Sequence, residues 1–307
     1  MSRPRTVAIW NPASGNAPDE QKLRDALGEH TELVPTTEDD PGPGQATEAV
    51  DQQAEIVVAC GGDGTVRACL DPLAGTNTSL AVVPLGTGNL LAANIGVPSG
   101  FDAAAGIGLG PRRTIDLGRI NGEAFAVMAG TGFDAMMIRD ASSSLKSKIG
   151  SLAYVVSGAR HLRSSLVPTT VTIDDEPFFD GRTSMVLVGN FGTITGGIDV
   201  FPDALPDDGL LDVAVVSAST WREWAAVARR LLRNEPLPLD LARRARGRKV
   251  VIDHARPRAY ELDGEDRDPA THLEIEVQPG ALTVHQHDSR RGEAPTKARP
   301  TDRGVRT

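Results

Sequence analysis

Short apolar runs alternate with amphipathic stretches along the first hundred residues. Val7-Ala8-Ile9-Trp10 is a strand-length run that stops at the turn-forming Asn11-Pro12. Leu23, Ala26 and Leu27 then recur at helical spacing inside Glu20–Glu29. Glu32 to Pro35 is another short strand candidate, and Gln45 to Gln53 reads as helix. Glu55-Ile56-Val57-Val58-Ala59-Cys60 has the unbroken apolar character of a strand covered on both faces. Thr65–Leu73 reads as helix, Leu80–Val83 as strand and Leu90–Ile95 as a short helix. Strands and helices in strict alternation predict an α/β domain with a parallel sheet.

The pattern changes after about Arg112. Asn121-Gly122 lies between Thr114–Ile120 and Ala124–Ala129, a strong signal for a type I′ hairpin. Strand-like runs recur at Val171–Ile173, Ser184–Val188, Leu211–Val216, Val250–Ile252, Ala259–Leu262 and Leu273–Val277. Helical islands around Leu152–Leu162 and Trp221–Leu232 interrupt them. A C-terminal, mainly antiparallel β-sandwich domain is expected. The boundaries fall at 1–112 for the α/β domain and 113–288 for the sandwich, with 289–307 as a disordered basic tail rich in Arg, Pro and Thr.

Composition narrows the function classes. With 307 residues the chain is long enough for two cores, and 40% apolar with 24% charged residues is ordinary globular material. The net charge of −9 argues against nucleic acid as a partner. Cys60 and Cys69 have no CxxC or histidine companions, so they read as small buried residues of a reducing compartment. No signal peptide or membrane-spanning run is seen, which points to the cytoplasm. His254, His272, His285 and His287 show no ligand spacing, and His285 and His287 read as exposed strand ends.

Candidate chemistry sits in the turns after the strands. Gly61-Gly62-Asp63-Gly64-Thr65 lies between a buried strand and a helix, where glycines let backbone approach a ligand and helix N–H groups favour an anion. A plain βα turn with Thr65 as N-cap is the competing reading. Asp63 is unusual in a phosphate cradle and suggests an intervening cation or a proton acceptor. Pro84-Leu85-Gly86-Thr87-Gly88-Asn89 and Asn11-Pro12-Ala13-Ser14-Gly15 also follow strands and would share the sheet's C-terminal edge, where ligands bind. Neither the Walker A pattern nor GxGxxG occurs among them.

NPASG, GGDGT and PLGTGN in this order resemble the diacylglycerol kinase catalytic-domain family, soluble bacterial lipid kinases related to sphingosine kinases and distantly to NAD kinases. Gly189-Asn190 with Gly196-Gly197, Pro202-Asp203-Ala204, Asp207-Asp208-Gly209-Leu210-Leu211-Asp212 and Glu261-Leu262-Asp263-Gly264-Glu265 resemble the family's β-domain. The resemblance runs from about Thr6 to His285 and implies an ATP- and Mg²⁺-dependent kinase acting on a lipid alcohol, foremost diacylglycerol. It implies nucleotide contacts at Asn11, Ser14, Thr37, Gly61, Gly62, Asp63, Gly64, Thr65, Val66, Arg67, Gly86 and Thr87. Glu265 falls at the general base, Asp63 would hold Mg²⁺ directly or through water, and Leu205, Asp208 and Leu210 fall at a structural Mg²⁺ site. Leu90-Leu91 stands where many members carry an Asp, and Arg67 where an Asn is common.

The same local motifs admit plainer readings. Asp263-Gly264 is also an ordinary hairpin turn, and Ile173-Asp174-Asp175-Glu176 is a look-alike with no implied chemistry. Rival functions are phosphorylation of a sphingoid base or other lipid, NAD kinase activity, and a non-catalytic nucleotide or lipid sensor. Residues 221–249 carry nine Lys or Arg against three Asp or Glu, with Trp221 and Trp224 on the helix. That composition suits an anionic membrane surface, or a helix packed on its own protein with its arginines solvated. The oligomeric state is left open, a homodimer included.

Overall fold

The apolar runs of the first half form four parallel strands: β1 (Thr6–Trp10), β2 (Thr31–Pro35), β3 (Ile56–Gly61) and β4 (Ser79–Pro84). The computed structural model describes residues 4–101, 110–132, 166–194, 198–233, 238 and 241–287. The strands lie in the order β4-β3-β1-β2, joined by helices α1 (Glu20–Leu27), α2 (Pro43–Asp51) and α3 (Asp63–Leu73), with α4 (Leu90–Asn94) after β4. Side chains leave the sheet alternately. Val7, Ile9, Val57 and Ala59 pack with Ala46, Ala49, Val66 and Leu70 of α2 and α3. Ala8, Trp10, Val58 and Cys60 pack with Leu23 of α1 on the other face. Two-sided burial, worth ~1.5–3 kcal/mol per large aliphatic side chain, explains why these runs are apolar throughout. α1 begins where the Asp19 carboxylate accepts the Lys22 N–H at 2.8 Å, and it ends at Gly28.

In the second half, β5 (Arg112–Ile120) and β6 (Glu123–Phe125) form the expected hairpin, with φ of 48° at Asn121 and 92° at Gly122. The run expected as Ala124–Ala129 is split, and β7 (Met128–Thr131) is a separate strand. The cause is Asp263, whose carboxylate accepts the N–H groups of Ala126, Val127 and Met128 at 2.7, 2.8 and 2.9 Å. Those amides are thereby taken out of any sheet ladder. The remaining elements are β8 (Val167–Ile173), β9 (Glu176–Thr183), β10 (Met185–Gly189), β11 (Thr193–Ile194), β12 (Ile198–Asp199), β13 (Leu211–Val216), helix α5 (Trp221–Leu232), β14 (Ala242–Gly247), β15 (Lys249–Leu262) and β16 (Glu265–His285). β15 and β16 absorb three of the shorter strands expected from sequence. Val171, Val186, Val188, Val213, Val250, Ile252, Leu262, Leu273 and Ile275 fill the interior of this β half.

The halves share one sheet. β16 runs parallel to β4 at Val284↔Leu80, giving the path β14-β13-β10-β7-β15-β16-β4-β3-β1-β2. This junction overturns the expectation for His285, which is 4% exposed and hydrogen-bonded through Nε2 to Ser79 Oγ at 2.9 Å. Cys60 and Cys69 are buried free thiols, and desolvation pushes both well above the ordinary thiol range. The helix expected around residues 152–162 and the tail from 289 lie outside the described residues.

Candidate phosphoryl-transfer site

The parallel register places Trp10 beside both Pro35 and Cys60, and Gly61 beside Pro84, so the loops after all four strands leave one edge. Backbone bonds tie them together: Asn11 N–H to the Cys60 carbonyl at 3.0 Å, Thr36 N–H to Trp10 at 2.8 Å, and Leu85 N–H to Gly61 at 2.8 Å. Asn11 Oδ1 accepts the Ala13 N–H at 2.9 Å, which shapes the turn carrying Ser14. Thr37, on the outer loop, accepts the Asp40 N–H at 3.0 Å through its hydroxyl. Asn11, Ser14, Thr37, residues 61–67, Gly86 and Thr87 therefore sit on or beside one rim of the sheet.

The two glycine-rich loops touch through their backbones. A Cβ on Gly86 would stand 2.5 Å from the Cα of Gly62, and one on Gly61 would collide with the Thr65 side chain. Only glycine permits this approach. Gly62 is the N-cap of α3 and supplies no side-chain cap, so the first-turn N–H groups, including those of Gly64 and Thr65, have no capping acceptor. Uncapped helix amides at a glycine cradle suit the phosphate groups of a nucleotide. Val66 turns its side chain into the core, leaving it a backbone role.

Asp63 joins the loops. Its Oδ2 accepts the Asn89 N–H at 2.8 Å and its Oδ1 the Leu90 N–H at 2.6 Å, capping α4. Asn89, at φ 49°, clasps Gly86 through bonds of 3.0 and 2.8 Å. Burial pushes the Asp63 carboxyl above its ordinary value; these amides oppose that, and the charge of Glu265 adds to it. Each Asp63 oxygen thus already accepts an amide, so a hydrated cation would have only the remaining lone pairs.

Glu265 comes to the same place from the far half of the chain. A Cβ added to Gly64 would overlap Glu265 Oε1. Oε2 is held by Arg67 Nε at 2.5 Å and Arg267 Nη2 at 3.5 Å. Glu123 completes the group, meeting Arg67 at 3.2 Å and Arg267 at 2.9 Å. The Arg267 hydrogen bonds hold the Glu123 carboxyl below the usual carboxylate range. Beneath the turn, burial drives Asp263 up to about 6 against its three amide donors. Neighbouring Glu261 is pushed up to about 7, by burial first and then by Asp266 and Asp263. Glu123, Glu261, Arg267 and the Asn89 clasp were not singled out in the sequence. Arg267 alone left a local signal, lying two residues from Glu265 on the same face of a strand.

Leu205, Asp208 and Leu210 lie in the turn ahead of β13. The turn is fastened by Gly209 N–H to the buried Asp116 carboxylate at 2.7 Å, whose second oxygen takes the Gly280 N–H at 2.7 Å. Asp208 Oδ1 accepts the Leu210 N–H at 3.1 Å, and Oδ2 is ion-paired with Arg246, which also meets Asp212 at 3.3 Å. A divalent ion held by Asp208 with the carbonyls of Leu205 and Leu210 would share this carboxylate with the Arg246 guanidinium. Among the described residues no cluster of three or more His, Cys, Asp or Glu side chains could hold a metal ion. A cavity of about 240 Å³ adjoins the turn, lined by Asn94, Arg113, Phe191, Phe201 and Leu205.

The basic segment is largely paired within the protein. Trp224 and Val227 of α5 are buried in the core, while Arg222, Arg229 and Arg233 face outward. Arg243 stacks over Phe179 and Arg244 over Phe201, and Lys249 pairs with Glu274 and Glu276. No helix among the described residues is long and apolar enough to cross a membrane.

Known proteins share this architecture. Residues 5–120 match the diacylglycerol kinase catalytic domain, and residues 127–286 match the YegS C-terminal NAD kinase beta sandwich-like domain. The chain is 33% identical over 304 residues to a "Probable lipid kinase YegS-like" of Stenotrophomonas maltophilia, covering 93% of this chain and 97% of the relative. It is 30% identical over 272 residues to the diacylglycerol kinase of Bacillus subtilis, covering 85% and 89%. A diacylglycerol kinase structure from Bacillus anthracis has the same fold, with a TM-score of 0.70 at 20% identity over 94% of this chain and 98% of that one. An Archaeoglobus fulgidus NAD kinase, crystallised with ATP, is more distant at a TM-score of 0.51 and 11% identity, covering 93% and 95%. Matched along nearly its whole length, the chain belongs to the diacylglycerol kinase and YegS family of lipid kinases.

Proposed function

We propose that this protein transfers the γ-phosphoryl group of ATP to the hydroxyl of diacylglycerol, forming phosphatidate. The observation that carries the reading is the contact of Glu265 Oε1 with the Gly64 backbone, which brings a carboxylate from the β half onto an uncapped helix N-terminus. Phosphoryl transfer asks little covalent chemistry of a protein; it needs an in-line hydroxyl, a proton acceptor and charge stabilisation. In this reading the backbone at Gly61, Gly62, Gly64, Thr65 and Val66, with Gly86 and Thr87 opposite, grips the phosphates. Asn11, Ser14 and Thr37 line the nucleotide's approach. Glu265 Oε1 takes the hydroxyl proton as the oxygen attacks. Asp63 keeps the two loops in register and would be the carboxylate that holds a metal ion accompanying the nucleotide, directly or through water. Mg²⁺ arriving with ATP would supply charge neutralisation at the β- and γ-phosphates. Where the protein meets a membrane, the outward arginines of α5 are the contact surface.

Incubation with radiolabelled ATP and a panel of diacylglycerol, sphingoid bases, other lipid alcohols and NAD tests the assignment. Label in phosphatidate supports it; transfer to another alcohol, to NAD, or to nothing replaces it.

A further inference from the structure

The family resemblance groups Arg67 with the nucleotide contacts, yet two of its guanidinium nitrogens engage carboxylates of the β half. From the second turn of α3 it reaches into the β half, placing Nε on Glu265 Oε2 and Nη1 on Glu123 Oε2. Its side chain is 20% exposed and that of Arg267 18%, so the quartet is half-shielded from water, where ion pairs keep more of their strength than at an open surface. Two guanidinium groups converge on one oxygen of Glu265 and leave the other against Gly64.

We infer that Arg67 is a positioning residue: it pins Glu265 Oε2 so that Oε1 alone is presented to the phosphate loop. This deepens the kinase reading and rests on it. A glutamate has three side-chain torsions, and a hairpin end leaves them unrestrained unless something holds the carboxylate. Arg67 is also the one member of the quartet carried by the phosphate-binding helix, the others standing on β6 and β16. Arg67 thus adds a side-chain tie between nucleotide loop and base to the Gly64–Glu265 contact. Nε and Nη1 are the guanidinium nitrogens that the two carboxylates engage.

The two roles separate in the kinetics of Arg67→Gln and Arg67→Lys, measured with the full chain. Positioning predicts that Arg67→Gln lowers kcat roughly 10- to 100-fold, with the calorimetric Kd for ATP within about twofold of wild type. Arg67→Lys, which keeps a cation beside Oε2, recovers part of the loss. A crystal structure of Arg67→Gln should show Glu265 turned away from Gly64, and an unchanged melting temperature excludes simple unfolding. An ATP Kd weakened tenfold or more with kcat retained makes Arg67 a phosphate ligand and overturns the inference. So does a Gln variant matching wild type in every measurement. A wild-type chain that phosphorylates no alcohol overturns the kinase reading itself, a result distinct from either.

Discussion

Two hairpin turns in this molecule are nearly the same object. Asp174-Asp175 and Asp263-Gly264 both take positive φ at both positions, 51° and 65° in one, 46° and 86° in the other, and each is followed by a glutamate. In each, the aspartate N–H donates to a carbonyl of a neighbouring strand at 2.8 Å, Lys249 or Met128. In each, the aspartate carboxylate gathers backbone amides in return: those of Arg248 and Lys249, both at 2.8 Å, or those of residues 126–128. The difference is location. Asp174, Asp175 and Glu176 are exposed, whereas Asp263 is buried and Glu265 abuts the glycine loop. Local turn chemistry makes a hairpin; topology decides which hairpin has a partner.

The sharpest way to break this comparison is to neutralise both glutamates. Glu265→Gln is expected to lower lipid phosphorylation by about 10²–10⁴-fold, and Glu176→Gln to leave it unchanged, in a radiolabel assay. Equal effects would mean that position in the fold does not distinguish them. Next come the aspartates. Asp263→Ala strands three buried amides and should reduce unfolding free energy by roughly 3–5 kcal/mol, while Asp174→Ala, with water at hand, costs about 1 kcal/mol. Urea denaturation reads both.

A smaller effect concerns acid. The ribbon of β15 and β16 beneath the functional turn carries His254 and His285, both buried and both lowered to about 4, chiefly by desolvation. Their folded values lie below the unfolded 6.5, so the stability they contribute is present above pH 6.5 and is lost as pH falls towards 4. Glu261 and Asp263, raised to about 7 and 6, act in the opposite sense, losing stability as pH rises through those values. Comparing wild type with His254→Gln/His285→Gln isolates the imidazoles. The wild-type curve should fall more steeply between pH 6.5 and 4, by on the order of 1–2 kcal/mol per histidine. Smallest is the effect far from both turns. Reversing Arg229 and Arg230 to Glu should weaken co-sedimentation with anionic vesicles a few-fold, without changing turnover on detergent-dispersed lipid.

Much of this was legible in the chain. Unbroken apolar runs announced the parallel strands because both their faces are buried, and the glycine spacing marked the loops because backbone meets backbone at Gly62 and Gly86. Glu265 could be found through its motif, though not distinguished from Glu176 by pattern. What stayed hidden is non-local. β9 carries few of the usual strand signals and exists by pairing with β8, and β14 is written almost wholly in arginine and alanine yet pairs along β13. The break between β6 and β7 is imposed by a carboxylate more than 130 residues away in sequence. Arg67 reads as a phosphate ligand from the glycine loop it follows, whereas its side-chain partners come from β6 and β16.

The junction at Val284 and Leu80 bears on synthesis. One flank of β4 is covered by β16, almost the last described stretch to leave the ribosome. Until then a nascent chain holds a nucleotide-binding half with a raw sheet border, the kind of border that recruits stray strands. Emergence of β16 covers that border and brings Glu265 beside the glycine loop in one event, so a product cut short before β16 would bare the β4 edge and lack the Glu265–Gly64 contact together.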